Sequence, residues 1–175
     1  MSGANVVLRD ATADDAEFIL SLRLNPAKNQ HMSATSPRLN DQVLWLQGYA
    51  KKTDQAYFIV CDKEGKRLGC VRLYDAEGGS YAWGSWLMVD GLSPLVSVET
   101  VLLVYAYGRH LGFKEARIDV RKDNKYVRNF HEKFFGAEMV SEAGIECCYV
   151  MREESIAKSL GRFSNLVTTP LAVAA

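Results

Sequence analysis

The imidazole of His131 is the side chain best suited to moving a proton at neutral pH, because its ordinary pKa of about 6.5 allows transfer in either direction. It falls with Val127, Phe130 and Phe134 on one face of a predicted helix, where a boundary histidine packed against its neighbours is an equal reading. Tyr74 and Asp75 end a predicted strand and could meet a polar substrate, although an acid at a strand end is often simply solvated. Trp45, Trp83 and Trp86 offer flat surfaces for a sugar or base, with core packing as the competing use. Cys61, Cys70, Cys147 and Cys148 form no CxxC pair and have no histidine at zinc spacing, so reduced core thiols are expected and no metal.

These residues need a frame to position them. Val6 to Leu8 reads as a short strand, and Thr12-Ala-Asp-Asp15 as a capping start for a helix that Asn25-Pro26 stops. Residues 27–39 show neither period and read as a loop with one helical turn. Asn40 or Asp41 caps a second helix carrying Val43, Leu44, Trp45, Leu46 and Tyr49. Three strands follow with turn-forming links: Tyr57 to Cys61; Arg67 to Asp75, with Leu68, Cys70, Arg72 and Tyr74 on one face; and Tyr81 to Val89, with Tyr81, Trp83, Ser85, Leu87 and Val89 on one face. Ser97 to Leu111 is apolar almost all round and predicts a buried central helix, with Glu99 as a partner of the helix dipole. Glu115 to Arg121 alternates, placing Ala116, Ile118 and Val120 inward, and strand, helix, strand implies a parallel crossover. Asp123 or Asn124 caps a further helix that Gly136 closes, and a hairpin turns at Ala143-Gly144. The expected fold is α/β of the α+β type: a mixed, mostly antiparallel central sheet with helices on both faces, over residues 1–154. Residues 155–175 form a tail, docked or mobile, with a weak helical stretch.

The 175 residues hold 21 Lys+Arg and 21 Asp+Glu. Zero formal charge removes the electrostatic case for a nucleic-acid or anionic-membrane partner. With no apolar run of spanning length and no basic-then-apolar leader, a cytoplasmic location is the default expectation.

The stretch Asn124-Lys-Tyr-Val-Arg-Asn-Phe130-His131-Glu132-Lys133-Phe-Phe-Gly136-Ala, in this order of elements, resembles the GCN5-related N-acetyltransferase (GNAT) superfamily over about 150 residues, with one residue more before its Gly. Gly84-Ser-Trp86-Leu to Glu99 is similar to the branch acting on ribosomal-protein N-termini. Leu22-Arg-Leu-Asn25-Pro26, Met32, Asp41-Gln42-Val-Leu-Trp45-Leu46 and Gly69-Cys-Val-Arg-Leu-Tyr-Asp75 are similar to the aminosugar N-acetyltransferases, with Gln42 where those carry His.

The resemblance implies transfer of an acetyl group from acetyl-CoA, as co-substrate, to a small-molecule amine, most simply that of a nucleotide-linked aminosugar. The alternatives are a protein N-terminal acetyltransferase and a binding module that has lost CoA. Pantetheine would lie between splayed strands against the backbone of Leu87, Met88 and Val89, and Asn124 would face it. His131 stands where relatives carry a Tyr that protonates the thiolate. The phosphate loop has lost its glycine spacing and basic residue, which leaves Ser93, Ser97 and the amides of Leu95, Val96, Ser97 and Val98 to hold the pyrophosphate. Arg23, Asn25, Met32, Tyr74, Asp75 and Trp83 are the implied acceptor residues. A homodimer is left open.

Overall fold

The computed structural model describes residues 1–167. One seven-stranded sheet runs in the order β1 (Val7–Asp10), β2 (Ala56–Cys61), β3 (Arg67–Glu77), β4 (Ser80–Met88), β5 (Glu115–Arg121), β7 (Glu146–Met151), β6 (Glu138–Ala143). Neighbours are antiparallel except β4 and β5. Helices α1 (Ala16–Leu24) and α2 (Leu39–Tyr49) bring Ile19, Leu22, Leu46 and Tyr49 onto one face, against Tyr57, Ile59 and Cys70. The long α3 (Pro94–His110) buries Val101 to Tyr105 on the other face, against Phe58, Val71, Tyr81 and Ile118. Helices on both faces and one parallel crossover are the architecture expected from the sequence.

The start of the first helix shows how local sequence and burial combine. Thr12 and Asp15 form the capping box, and Asp15, 2% exposed, also takes a bidentate pair from Arg9 (2.6 and 2.7 Å). Burial alone would raise the Asp15 pKa; the Arg9 hydrogen bonds, the Thr12 amide and the charges of Arg9 and Arg67 outweigh it and hold it below the usual carboxylate range. The next helix begins one residue before the expected cap, at Leu39, behind Arg38.

Two strands depart from simple alternation. Cys61 pairs with Arg67 and Val60 with Gly69, which leaves Leu68 as an extra residue, so it turns toward α3 while Cys70 turns toward α1 and α2. In β4 the register jumps from Leu87 opposite Cys70 to Gly84 opposite Arg72, with Ser85 and Trp86 facing the single residue Val71. Ser85 has φ +48°. This bulge inverts the pleat: Tyr81 and Trp83 face α3, whereas Leu87 faces α1 and α2. The expected single face for Tyr81 through Val89 is therefore split in two.

Ser93 is the N-cap of α3 and Pro94 its first residue, where the missing N–H costs nothing. Glu99 is not a solvent-facing dipole partner: fully buried, it accepts from the amides of Asn5 (2.7 Å) and Val6 (2.8 Å) and from Asn5 Nδ2 (2.9 Å). Helix α4 (Lys125–Asn129) is capped by Asn124 Oδ1 through the Val127 amide at 3.2 Å. It continues as a π-helical turn, Phe130–Phe135, closed by Gly136 at φ +75°. The residue in excess of the family pattern is taken up in that wide turn. The tail docks through α5 (Glu153–Arg162), where Ile156 joins the main core, as does Leu166 beyond it. Residues 168–175 of the predicted tail lie outside the described residues.

Candidate active site

Strands β4 and β5 pair only at Ser80, Tyr81 and Ala82 with Glu115, Ala116 and Arg117, and then part. A cavity of about 450 Å³ opens in the gap, walled by Trp83 to Met88 from β4 and Ile118 to Arg121 from β5. Ser97 of α3 and Asn124 at the start of α4 line it, and the loop after α1 contributes Lys28, His31 and Met32. A second cavity of about 340 Å³ lies on the α1 and α2 side, with Arg23, Asp41, Gln42, Trp45, Tyr57 and Arg72 in its wall. Ser85 lines both. The bulge thus sits at the junction of an elongated cleft and a polar pocket, where a group held in one can meet a group held in the other.

The cleft fits an extended acyl donor. Trp86 Nε1 and His131 Nδ1 belong to residues in its wall and are buried with no hydrogen-bond partner among the described residues, so they are polar atoms for a ligand to satisfy. Val89 donates its amide to Leu68 O at 2.8 Å, toward β3. By strand alternation Met88, one residue earlier, turns its backbone to the cleft. At the start of α3 Ser93 Oγ takes the Leu95 amide at 3.4 Å and Ser93 O takes the Val96 amide at 3.0 Å. Val98 is in the core, Leu95 is exposed, and Ser97 is the loop residue that lines the cleft. Two cationic residues outside that loop line the cavity: Lys28, whose Nζ lies 2.5 Å from Asp90, and Arg121.

His131 is 1% exposed, with its ring edge-on to Trp83 at 5.4 Å and near Trp86 at 6.3 Å. Burial lowers its pKa to about 4, so at pH 7 the ring is neutral and works as a hydrogen-bonding group; as a proton donor it is weaker than an ordinary imidazolium pool would be. This has a consequence for stability. The unfolded chain takes up a proton at about 6.5 and the native state only near 4, so stability is unaffected above 6.5 and is lost as pH falls between those values. The loss is about 1.4 kcal/mol per pH unit, roughly 3 kcal/mol in all. Urea titrations of wild type and His131→Phe at pH 7 and pH 4.5 are expected to show a smaller acid loss in the variant; parallel losses would remove the assignment.

The expected acceptor residues separate. Arg23 lines the smaller cavity, held by Thr35 Oγ1 at 2.7 Å, and Met32 lines the cleft. Asn25 caps its own turn through the Ala27 amide at 2.9 Å. Tyr74 and Asp75 line neither cavity: Asp75 sits at φ +49° in the irregular end of β3, where the register with β4 shifts, with Arg117 bonded to its carbonyl. Trp83, 2% exposed, is covered by Tyr105, Trp86 and His131 and has no face left for a sugar. Trp45 is 41% exposed, with Tyr49 stacked parallel to it at 6.0 Å and Arg72 between it (5.2 Å) and Tyr74 (5.0 Å). Ser85, Lys28, Arg72, Asp119 and Arg121 were not among the predicted site residues. The alternation that put Ala116, Ile118 and Val120 inward also put Asp119 and Arg121 on the other face, and that was the available signal for those two.

A mostly antiparallel sheet whose one parallel pair, β4 and β5, parts beside a bulge, with an open cleft in the gap and a polar pocket behind it, is the frame of an acyltransferase. A family model described as an acetyltransferase (GNAT) domain matches residues 5–134, and the chain belongs to that family. Apo FdhC, described as a nucleotide-linked sugar GNAT, is similar at 29% identity and a TM-score of 0.86, over 95% of this chain and 97% of that one. Spermidine N-acetyltransferase from Vibrio cholerae, in complex with CoA and spermine, shares the fold at 14% identity and a TM-score of 0.76, over 87% of this chain and 98% of that one. A probable GNAT acetyltransferase from Chromobacterium violaceum shares it at 16% identity and 0.75, over 87% and 85%. No curated protein matches the sequence. Among the described residues no helix is long and apolar enough to cross a membrane.

Proposed function

We propose that this acetyltransferase moves the acetyl group of acetyl-CoA to the amino group of a nucleotide-linked aminosugar. The acceptor class rests on the charge of the smaller cavity. Arg23 and Arg72 stand in its wall against one carboxylate, Asp41, which Arg38 (2.9 Å) and Ser36 (2.6 Å) already engage. Arg72 also reaches Gln55 through Nε at 2.7 Å. The Nη1 atoms of Arg23 and Arg72 have no acceptor among the described residues and are free for a phosphate or carboxylate. The 41% of Trp45 left open offers apolar contact beside those guanidinium groups. A polyamine would bring cations to two arginines, and a peptide N-terminus would want carboxylates here. The 29% identity to a nucleotide-linked sugar GNAT points the same way.

Acetyl-CoA supplies an activated acetyl thioester. Met88 offers backbone to the pantetheine arm, Ser97 with Lys28 and Arg121 meets the phosphates, and Asn124 fixes the helix that closes the cleft. Neutral His131 offers a hydrogen bond at the far wall. A thiol-release assay with acetyl-CoA is expected to show turnover with nucleotide-linked aminosugars and none with spermidine or an N-terminal peptide. Turnover on either of the latter, with none on any aminosugar nucleotide, would overturn the acceptor class.

A further inference from the structure

Among the residues lining the larger cavity there is one carboxylate, Asp119. It stands on β5 just past the last β4 and β5 pair, on the face opposite Ile118 and Val120, and shares the gap with Gly84 and Ser85 at the bulge. Tyr74 approaches the same point from β3: a side chain on Gly84 would lie 3.2 Å from its hydroxyl. Burial first, then the charge of Asp119, raises the Tyr74 pKa. The phenol therefore keeps its proton and remains a donor beside that carboxylate.

The other ionisable groups around Asp119 are Arg117 and Arg121 on its own strand and Arg72 stacked on Tyr74. On β7, Cys148 is its cross-strand partner and Glu146 is the neighbour on that face. The Cys148 thiol is favoured toward thiolate by Ser141, but hydrogen bonding to Asp119, burial and the charges of Asp119 and Glu146 push its pKa up on balance. Lys28 and His31 reach the cavity from the loop after α1, and His31 approaches Asp123 at 3.3 Å. Beta strand β4 contributes no ionisable side chain at Gly84 or Ser85.

We propose that Asp119 is the general base of the reaction, receiving a proton from the ammonium group of the acceptor, with Tyr74 as a positioning residue. The inference rests on the acetyl-transfer reading. An ammonium N–H bond breaks, its electron pair stays on nitrogen and the proton goes to the Asp119 carboxylate. The freed pair forms the C–N bond to the thioester carbonyl carbon, and the C–S bond breaks with its pair on sulfur. The thiolate takes the second nitrogen proton, and Asp119 returns its own to water. Asp119 is placed for this because it lines the larger cavity together with Ser85, the residue that both cavities share.

The test is Asp119→Asn, with Tyr74→Phe alongside, using acetyl-CoA and whichever amine the wild type acetylates, from about pH 6 to pH 10. At pH 7 Asp119→Asn is expected to lose about a hundredfold in kcat/KM. The deficit shrinks as pH passes the pKa of the amine itself, where free amine no longer needs a base. Because the variant removes a carboxylate from the cavity that takes an anionic donor, the thermal shift caused by acetyl-CoA is expected to be no smaller than in the wild type; a smaller shift would assign the loss to donor binding and overturn the assignment. A deficit constant with pH, or no deficit, overturns the assignment while wild-type turnover leaves the acetyl-transfer reading standing. A wild type that acetylates no amine overturns both. Tyr74→Phe is expected to lose severalfold with the same pH shape, and a flat profile there would remove its positioning role.

Discussion

Glu99→Ala is expected to lower the unfolding free energy by about 3 kcal/mol or more, with the midpoint of thermal unfolding falling by roughly 10 °C. The carboxylate is fully buried and satisfies three donors at once: the amides of Asn5 and Val6 on Oε1, and Asn5 Nδ2 on Oε2. Alanine leaves the amide of the fully buried Val6 without a partner, at about 1–3 kcal/mol, and gives up two part-buried contacts to the exposed Asn5 that add to the loss. Gly3 packs so closely that a Cβ there would lie 2.2 Å from Glu99 Oε1, so the N-terminal segment has little room to retreat. Glu99→Gln keeps an oxygen for the two backbone amides and asks only that the Asn5 side chain turn its own oxygen to the new NH₂; a loss of about 1 kcal/mol is expected. Urea titration of the three proteins measures this. An alanine variant within about 1 kcal/mol of wild type would mean that the segment re-pairs elsewhere. Because Glu99 ties residues 5 and 6 to the second turn of α3, the alanine variant should also bind acetyl-CoA more weakly, through a loosened helix start.

The same residue shows where the sequence was readable and where it stopped. A Glu near the start of a helix has a local explanation, the dipole, and local reasoning could not see that a segment about ninety residues away closes over it. Elements defined by period were legible. The alternation of Ala116, Ile118 and Val120 and the apolar run of α3 correspond to β5 and the buried helix. The bulge at Ser85 and Trp86 was not, because β4 carries large apolar residues on both faces and a change of pleat leaves no gap in the pattern. Ser97, Asn124 and His131, which the family resemblance singled out, all line the larger cavity. Lys28 does not follow from spacing: its place depends on the loop after α1 crossing the sheet to Asp90, which is a tertiary event. Zero net charge likewise described the whole surface, while binding of a polyanion depends on where a few cations converge.

Charge in the acceptor pocket leads to the prediction with the largest effect on turnover. Arg72→Gln is expected to reduce kcat/KM for the acceptor by about 10- to 100-fold, and Arg23→Gln with Arg72→Gln by about a thousandfold, from the loss of two charge-assisted contacts of roughly 2 kcal/mol each. Glutamine ends about where the arginine Nε lies, short of the Nη atoms, so the loss reads charge and reach together; Arg72→Lys, which keeps the charge, is expected to lose less. Arg72 is stacked between Trp45 and Tyr74 and lines the smaller cavity but not the cleft, so the thermal shift caused by acetyl-CoA should be unchanged. Salt provides the second readout: kcat/KM of the wild type should fall as ionic strength rises, and that of the double variant should respond less. The sign decides between acceptor classes. If the pocket serves a polycation, removal of two repelling guanidinium groups raises kcat/KM and added salt raises it in the wild type too. For an anionic acceptor both move down, because Arg23 and Arg72 then supply the attraction that the neutral surface as a whole does not.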